Sequence, residues 1–226
     1  MKNRITSLSS HRDERSRISA GAFTLIELLV VIAIISVLAA MLLPALARAK
    51  EKSKVVRVRV ELNNIGLAME MYSTDYAGKI PPVRVNCNSS LMEHWCELPV
   101  ELANEHYLPH SIQSGLEADM EDVFNPGHTY KYAAPGPQLL NGAPTANYSL
   151  WVPTNAPLDM SAGGKYFTDP KASPVHWVIW SLGPQPNSAR SQNDYAPLTS
   201  DSWYRSGQGG VLARFADRNG TQFNSQ

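Results

Sequence analysis

Cysteine is scarce in this chain: two residues in 226 leave no room for a disulfide framework to stand in for a hydrophobic core. An excess of one charge is also missing, because 20 Lys and Arg are balanced by 20 Asp and Glu. A nucleic-acid binder needs a basic face, so this balance argues against a nucleic-acid partner. The signatures G-x-S-x-G, H-E-x-x-H, G-x-x-x-x-G-K-[ST] and G-x-G-x-x-G do not occur, which removes the common hydrolase, zinc-protease and nucleotide-binding readings. Gly207-Gln-Gly-Gly210 comes nearest, lacks the spaced third glycine, and reads as a flexible loop. With no phosphate-binding loop, any ATP-driven step involving this chain falls to a separate ATPase. Proline is nearly absent from the first 80 residues, which hold one of 16, so long helices belong there and not in the remainder. Length and a 43% hydrophobic content suit one ordinary domain plus an extra element.

What is present falls into zones. Residues 1–22 carry Lys2, Arg4, Arg12, Arg15 and Arg17 against Asp13 and Glu14, and read as a basic leader. Residues 23–47 are apolar apart from Thr24, Glu27, Ser36 and Pro44. At about 1.5 Å per residue this run can cross a hydrocarbon core of roughly 30 Å. It exceeds the apolar stretch of roughly 7–15 residues in a secretory signal peptide, so it reads as a retained single-span anchor. Pro44 lacks an amide proton and is expected to kink the helix near the membrane surface. Five basic residues precede the span and six follow it closely, which leaves its orientation open by charge alone.

Beyond the span Val55, Val58, Leu62, Ile65, Met69, Tyr72 and Tyr76 recur at spacings of three and four, the signature of an amphipathic helix. Its stripe suits either the chain's own sheet or, because the spacing is heptad-like, a partner helix. Gly78, followed by Pro81 and Pro82, is expected to end the helix with glycine in the left-handed cap. Residues 80–226 hold all five tryptophans and eight Lys and Arg against 13 Asp and Glu. Strands are expected at 148–152, 175–182 and 211–215, the second apolar on both faces as a central strand under a helix would be. Asn219-Gly220 predicts a two-residue hairpin turn of type I′, with positive φ twice, and Pro99 opens a short helix reaching Tyr107. The pattern is α+β: a long amino-terminal helix on a small antiparallel sheet.

A carboxylate in the apolar span costs about 2.5–3.5 kcal/mol on insertion scales. No Lys, Arg or His lies within a turn or two of Glu27. Either a cation from another molecule compensates it, or it sits near the helix end where a neutral or snorkelled carboxyl is tolerated.

The stretch Gly21-Ala-Phe-Thr-Leu-Ile-Glu-Leu-Leu-Val-Val-Ile-Ala-Ile-Ile35 resembles the processing and methylation segment of type IV pilins and type II secretion pseudopilins. In that family a membrane peptidase removes the basic leader before a phenylalanine, methylates the new amino terminus, and leaves a glutamate at the fifth mature position. The resemblance implies cleavage before Phe23, N-methylation of Phe23, and an assembly role for Glu27, paired with the terminus of a neighbouring subunit. Ala22 stands where the family has glycine, and Gly21 lies one position earlier. Further along, Asn63-Asn-Ile-Gly-Leu-Ala-Met-Glu-Met-Tyr-Ser-Thr-Asp-Tyr76, Phe124-Asn-Pro-Gly-His-Thr-Tyr-Lys-Tyr132, Trp180-Ser-Leu-Gly-Pro184 and Phe215-Ala-Asp-Arg-Asn-Gly220 look like pieces of pseudopilin-like proteins with extended periplasmic domains. Many such relatives carry an Asp-Gly pair near the carboxyl end and a histidine ten residues before it. Here Arg218-Asn219 separates Asp217 from Gly220 and Gly207 takes the histidine's place, so that histidine's role does not carry over.

Cys87 and Cys96 are a candidate disulfide, with buried free thiols as the other reading. His94, His106 and His110 lie nearby, but the spacing matches no tight structural-zinc pattern and no metal is expected there. Eight acidic residues from Glu93 to Asp122, with Glu97, Glu101 and Glu105 at intervals of four, read as a solvated face. Asp194, Asp201 and Asp217 are candidates for calcium by analogy with secretion pseudopilins that carry such a site; otherwise no cofactor is expected.

The whole reads as a pilin-like α+β subunit and not an enzyme: leader 1–22, transmembrane and assembly helix 23–47, amphipathic helix 48–78, and β-rich periplasmic domain 79–226. The resemblance places it as a single pass in a bacterial inner membrane, leader cytoplasmic and domain periplasmic, before it enters a filament. It implies other pilin subunits, a prepilin peptidase, an assembly platform with a separate ATPase, and the lipid bilayer as partners. The alternative is a membrane-anchored periplasmic binding module or hydrolase that uses the segment as a tether.

Overall fold

The computed structural model describes residues 23–85, 97–109, 120–156, 159–192 and 198–225. In chain order the elements are α1 (Leu25–Asp75), β1 (Val83–Val85), α2 (Glu101–Asn104), β2 (Lys131–Ala133), β3 (Gln138–Leu140), β4 (Ala143–Pro144), β5 (Leu150–Asn155), β6 (Asp159–Phe167), β7 (Val175–Ser181), a 3-10 turn at Ser200–Ser202, β8 (Leu212–Asp217) and β9 (Gln222–Asn224). The described chain divides into two compact units that meet between Ala47 and Arg48. Helix α1 passes through Pro44 without ending, since one missing donor removes a single hydrogen bond while the turns on either side keep theirs.

In the second unit, Val55, Val58, Leu62, Ile65, Met69 and Tyr72 of α1 are buried in one cluster with residues of the sheet. The stripe therefore lies on the chain's own domain. Burying each such aliphatic side chain contributes roughly 1.5–3 kcal/mol. Tyr76 departs from the expectation: it is 36% exposed and stacks on Tyr72 instead, ring centroids 4.3 Å apart.

The helix ends one residue earlier than a glycine cap predicts. Ala77 takes the left-handed position with φ +55°, and Gly78 follows at +80°, its amide donating to the Ser73 carbonyl at 2.7 Å. That six-to-one bond is the mark of a Schellman turn.

The main sheet has the order β2-β7-β8-β9, antiparallel throughout, and β7 is central as its two apolar faces required. Ile179 stands opposite Tyr132 on one side and Arg214 on the other, and Arg214 reaches α1 at Asn63. Neighbouring positions turn to the far face, where Phe215 stacks between Phe223 and Trp203. The other strands form β1-β3-β4, with β1 and β3 parallel, and the separate hairpin β5-β6.

The β8–β9 turn corrects the type I′ expectation. Only Gly220 has positive φ, at +80°; Gly220 N donates to Asp217 O at 3.2 Å, and Asp217 N donates to Thr221 O at 3.0 Å. This is a three-residue loop, an ordinary turn followed by one left-handed glycine.

Candidate processing and assembly segment

Helix α1 starts with a reciprocal cap. Glu27 Oε2 accepts from Thr24 N at 2.9 Å and Thr24 Oγ1 at 2.7 Å, while Glu27 N donates to Thr24 Oγ1 at 3.3 Å. Thr24-Leu-Ile-Glu27 is a capping box, which serves amide groups that a helix start otherwise leaves unpaired. The sequence reading looked for a cation outside the chain and overlooked this signal, although the T-x-x-E spacing before an apolar run announces it. Glu27 is exposed, and its carboxylate is folded back to within one residue of Phe23, itself 71% exposed. Gly21 and Ala22, the other two processing candidates, lie outside the described residues.

From Leu25 the helix presents apolar side chains to its surroundings on every side: Leu25, Ile26, Ile35, Met41, Leu42 and Leu46 are 59–80% exposed. It is long and apolar enough to cross a membrane. Within residues 25–47 the one hydroxyl is satisfied internally, because Ser36 Oγ donates to the Ile32 carbonyl at 2.7 Å.

The domain's own candidates separate. Cys87, Cys96, His94, His110 and Asp194 lie outside the described residues. Among the described residues no group of three His, Cys, Asp or Glu side chains could hold a metal ion. Asp217 Oδ1 accepts from Asn219 N and Thr221 N, at 2.9 and 2.8 Å, and so serves the hairpin turn.

The expectation on the acidic run needs correction. The acidic run is not wholly a solvated face, because Asp122 is 1% exposed and Glu101 pairs with Arg84 at 2.7 Å. Asp122 Oδ1 accepts from Ser181 Oγ at 2.7 Å and Phe124 N at 3.0 Å, and Oδ2 from Leu182 N at 3.2 Å. Burial pushes this carboxyl above the usual carboxylate range, against those bonds and the charge of Lys131. The stretches 124–132 and 180–184 are thus joined through one buried carboxylate. The Gly207-Gln-Gly-Gly210 loop is a built turn: Arg205 N donates to Gly209 O at 3.0 Å, and a Cβ on Gly210 would sit 2.5 Å from the Trp203 carbonyl oxygen.

Residues 18–43 match the family described as the prokaryotic N-terminal methylation motif. The chain is also similar to the type IV wide pilus major component PilA4 of Thermus thermophilus, 47% identical over 57 residues, a quarter of this chain and 44% of that relative. It therefore spans less than half the length of that curated relative. No solved structure matches the chain. A methylation-motif match, a capped apolar helix long enough to span a bilayer, and similarity to a pilin component make this a type IV pilin-like protein in its amino-terminal segment.

Proposed function

We propose that the chain is a structural subunit of a type IV pilus-like filament or a type II secretion-like pseudopilus. A prepilin peptidase cleaves before Phe23 and methylates it, and the helix anchors the subunit with its domain on the periplasmic side of the inner membrane. An assembly platform with a separate ATPase then moves the helix from lipid into the filament, where its apolar surface is covered by other subunits. The observation that carries this reading is the methylation-motif match ending inside an exposed apolar helix whose first turn is closed by Glu27. Lipid and neighbouring helices are both apolar environments, so the same side chains serve before and after assembly.

Glu27 has a defined place in that sequence of events. Its bonds to Thr24 satisfy one carboxylate oxygen within the chain, and a terminal ammonium at Phe23 of a neighbouring subunit supplies the opposite charge. Intact-mass and peptide mass spectrometry of the protein from native membranes tests the processing: the chain begins at Phe23 and carries one extra methyl group. Any other terminus refutes it. Glu27→Ala is expected to insert and be cleaved yet to lose efficient assembly, and normal incorporation of that variant refutes the assembly role.

A further inference from the structure

Directly after its apolar run, α1 turns basic. Residues 48–59 carry Arg48, Lys50, Lys52, Lys54, Arg57 and Arg59 against one carboxylate, Glu51, whereas residues 80–226 carry eight Lys and Arg against 13 Asp and Glu. The structure leaves most of this basic charge uncompensated. Among the described residues, ion pairing engages only Arg57 of the six, with Glu61. Lys54 lies over the Phe124 ring, 5.8 Å from its centroid. Glu51 is turned to the domain, where it accepts the Tyr204 hydroxyl at 3.2 Å. Arg48, Lys50 and Lys52 are exposed.

Their height on the helix matches one layer of a bilayer. Arg48, Lys50 and Lys52 follow Ala47 by about 1.5, 4.5 and 7.5 Å along the axis, and the headgroup layer on each side of the hydrocarbon core is about 5–8 Å deep. Helical side chains lean toward the amino terminus, so these three reach back to that layer. Arg57 and Arg59 stand about 15 and 18 Å beyond Ala47, about a Debye length clear of the headgroups. Direction separates the possible polyanions. At about 100° per residue Arg48 and Lys52 point to one side of the helix and Lys50 to roughly the opposite side. A layer of headgroups surrounds the helix and meets both sides at one height, whereas a nucleic-acid duplex lying along one side meets only part of the set.

We propose that Arg48, Lys50 and Lys52 form a collar that binds the phosphates of anionic phospholipids around the helix where it leaves the hydrocarbon core. This rests on the membrane-anchored reading above. The apolar run holds the chain in a bilayer of any charge, while the collar selects which lipids surround it. Each basic residue at an anionic surface strengthens association about fivefold. Anionic lipid is therefore enriched beside the subunit and is given up when the helix leaves the membrane.

Native mass spectrometry of the full chain in non-ionic detergent, with phosphatidylglycerol and phosphatidylcholine of matched acyl chains, tests the collar. Wild type is expected to bind phosphatidylglycerol at least tenfold more tightly than phosphatidylcholine. The triple variant Arg48→Gln, Lys50→Gln, Lys52→Gln is expected to lose at least tenfold in phosphatidylglycerol affinity with phosphatidylcholine binding unchanged. The charge-keeping variant Arg48→Lys, Lys50→Arg, Lys52→Arg and the more distant Arg59→Gln are each expected to stay within about twofold of wild type. Residues 1–22 are common to every variant, so the differences report residues 48–59. Equal binding of the two lipids by wild type, a triple variant that binds phosphatidylglycerol as wild type does, or as large a loss in the charge-keeping variant or Arg59→Gln each overturns the collar. Binding of a short DNA duplex that the triple variant loses, with no lipid preference in wild type, assigns the charge to nucleic acid and overturns it as well. Release of the wild-type chain from membranes by alkaline carbonate overturns the anchored reading itself, and the collar with it.

Discussion

Asp122 is the buried group whose removal should cost the β-rich domain most. Replacing it by alanine strands three donors, the Ser181 hydroxyl and the amides of Phe124 and Leu182, and takes a negative charge away from the neighbourhood of Lys131, which is 3% exposed. An unsatisfied buried donor costs about 1–3 kcal/mol. The three losses overlap, so about 3–5 kcal/mol is the expectation for Asp122→Ala, a fall of roughly 6–20 °C in Tm for a domain of this size. Asp122→Asn keeps an oxygen for two donors but turns an amide toward the third, and should lose about 1–3 kcal/mol. The pH dependence has a definite sign. A carboxyl whose pKa is raised on folding binds more protons folded than unfolded, so its contribution is present below the ordinary carboxylate pKa and is lost as pH rises through the folded one. Thermal unfolding of the full chain in detergent, followed by near-ultraviolet circular dichroism across acid to neutral pH, measures both. A loss under 1 kcal/mol for Asp122→Ala, or wild-type stability that climbs through that window by more than Asp122→Asn does, would refute the reasoning.

Other expectations follow from the helix and its surroundings. Gly66 lies under Arg214 and Gln222, where a Cβ would fall 2.6 and 2.5 Å from their Nε and Oε1 atoms; Gly66→Ala should stay within about 1 kcal/mol of wild type, because about 1 kcal/mol of helix propensity offsets the crowding, while Gly66→Val should lose about 2 kcal/mol in thermal unfolding. Ala77→Gly should stabilise by about 0.5–1 kcal/mol by relieving a left-handed alanine, read as a raised Tm. Thr24→Val and Glu27→Gln should each weaken the first turn of α1 by about 1 kcal/mol, and the double variant by little more, since they share one capping box; amide hydrogen exchange of residues 25–28 in micelles reads this. His176, held below the ordinary histidine range by burial, favours its neutral form, so His176→Gln should reduce the stability lost as pH falls below that range in the same unfolding series.

What the sequence disclosed and what it hid divide along a physical line. Periodicity within α1 and the β-branched run from Val175 depend on neighbours three, four or two positions away, so the buried stripe and the central strand were legible. Asp122 was not, because its partners lie 59 and 60 residues further on and only the closed sheet assembles them. The turn before Thr221 was misread for a local reason: Asp217 Oδ1 accepts two backbone amides and supports an ordinary turn, leaving left-handed backbone to Gly220 alone. At the amino end the capping box is local, a hydroxyl three residues before a carboxylate, so Thr24 and Glu27 carry its signal in the sequence itself.

Beside the buried stripe of α1 runs a polar edge that ties the helix to the β8–β9 hairpin. Arg214 Nη1 donates to Asn63 Oδ1 at 2.6 Å, and Gln222 Nε2 donates to the Gly66 carbonyl at 3.1 Å and to Glu70 Oε1 at 2.5 Å. These bonds close over the one helical position without a side chain, which is why Gly66 sits there. Gln222→Ala removes the donor to both the Gly66 carbonyl and Glu70 and should cost about 1–2 kcal/mol, because each lost hydrogen bond contributes about 0.5–1.5 kcal/mol. Thermal unfolding of the full chain in detergent reads this as a lowered Tm, and an unchanged Tm would show that the hairpin is held to the helix by its apolar contacts and not by this clasp.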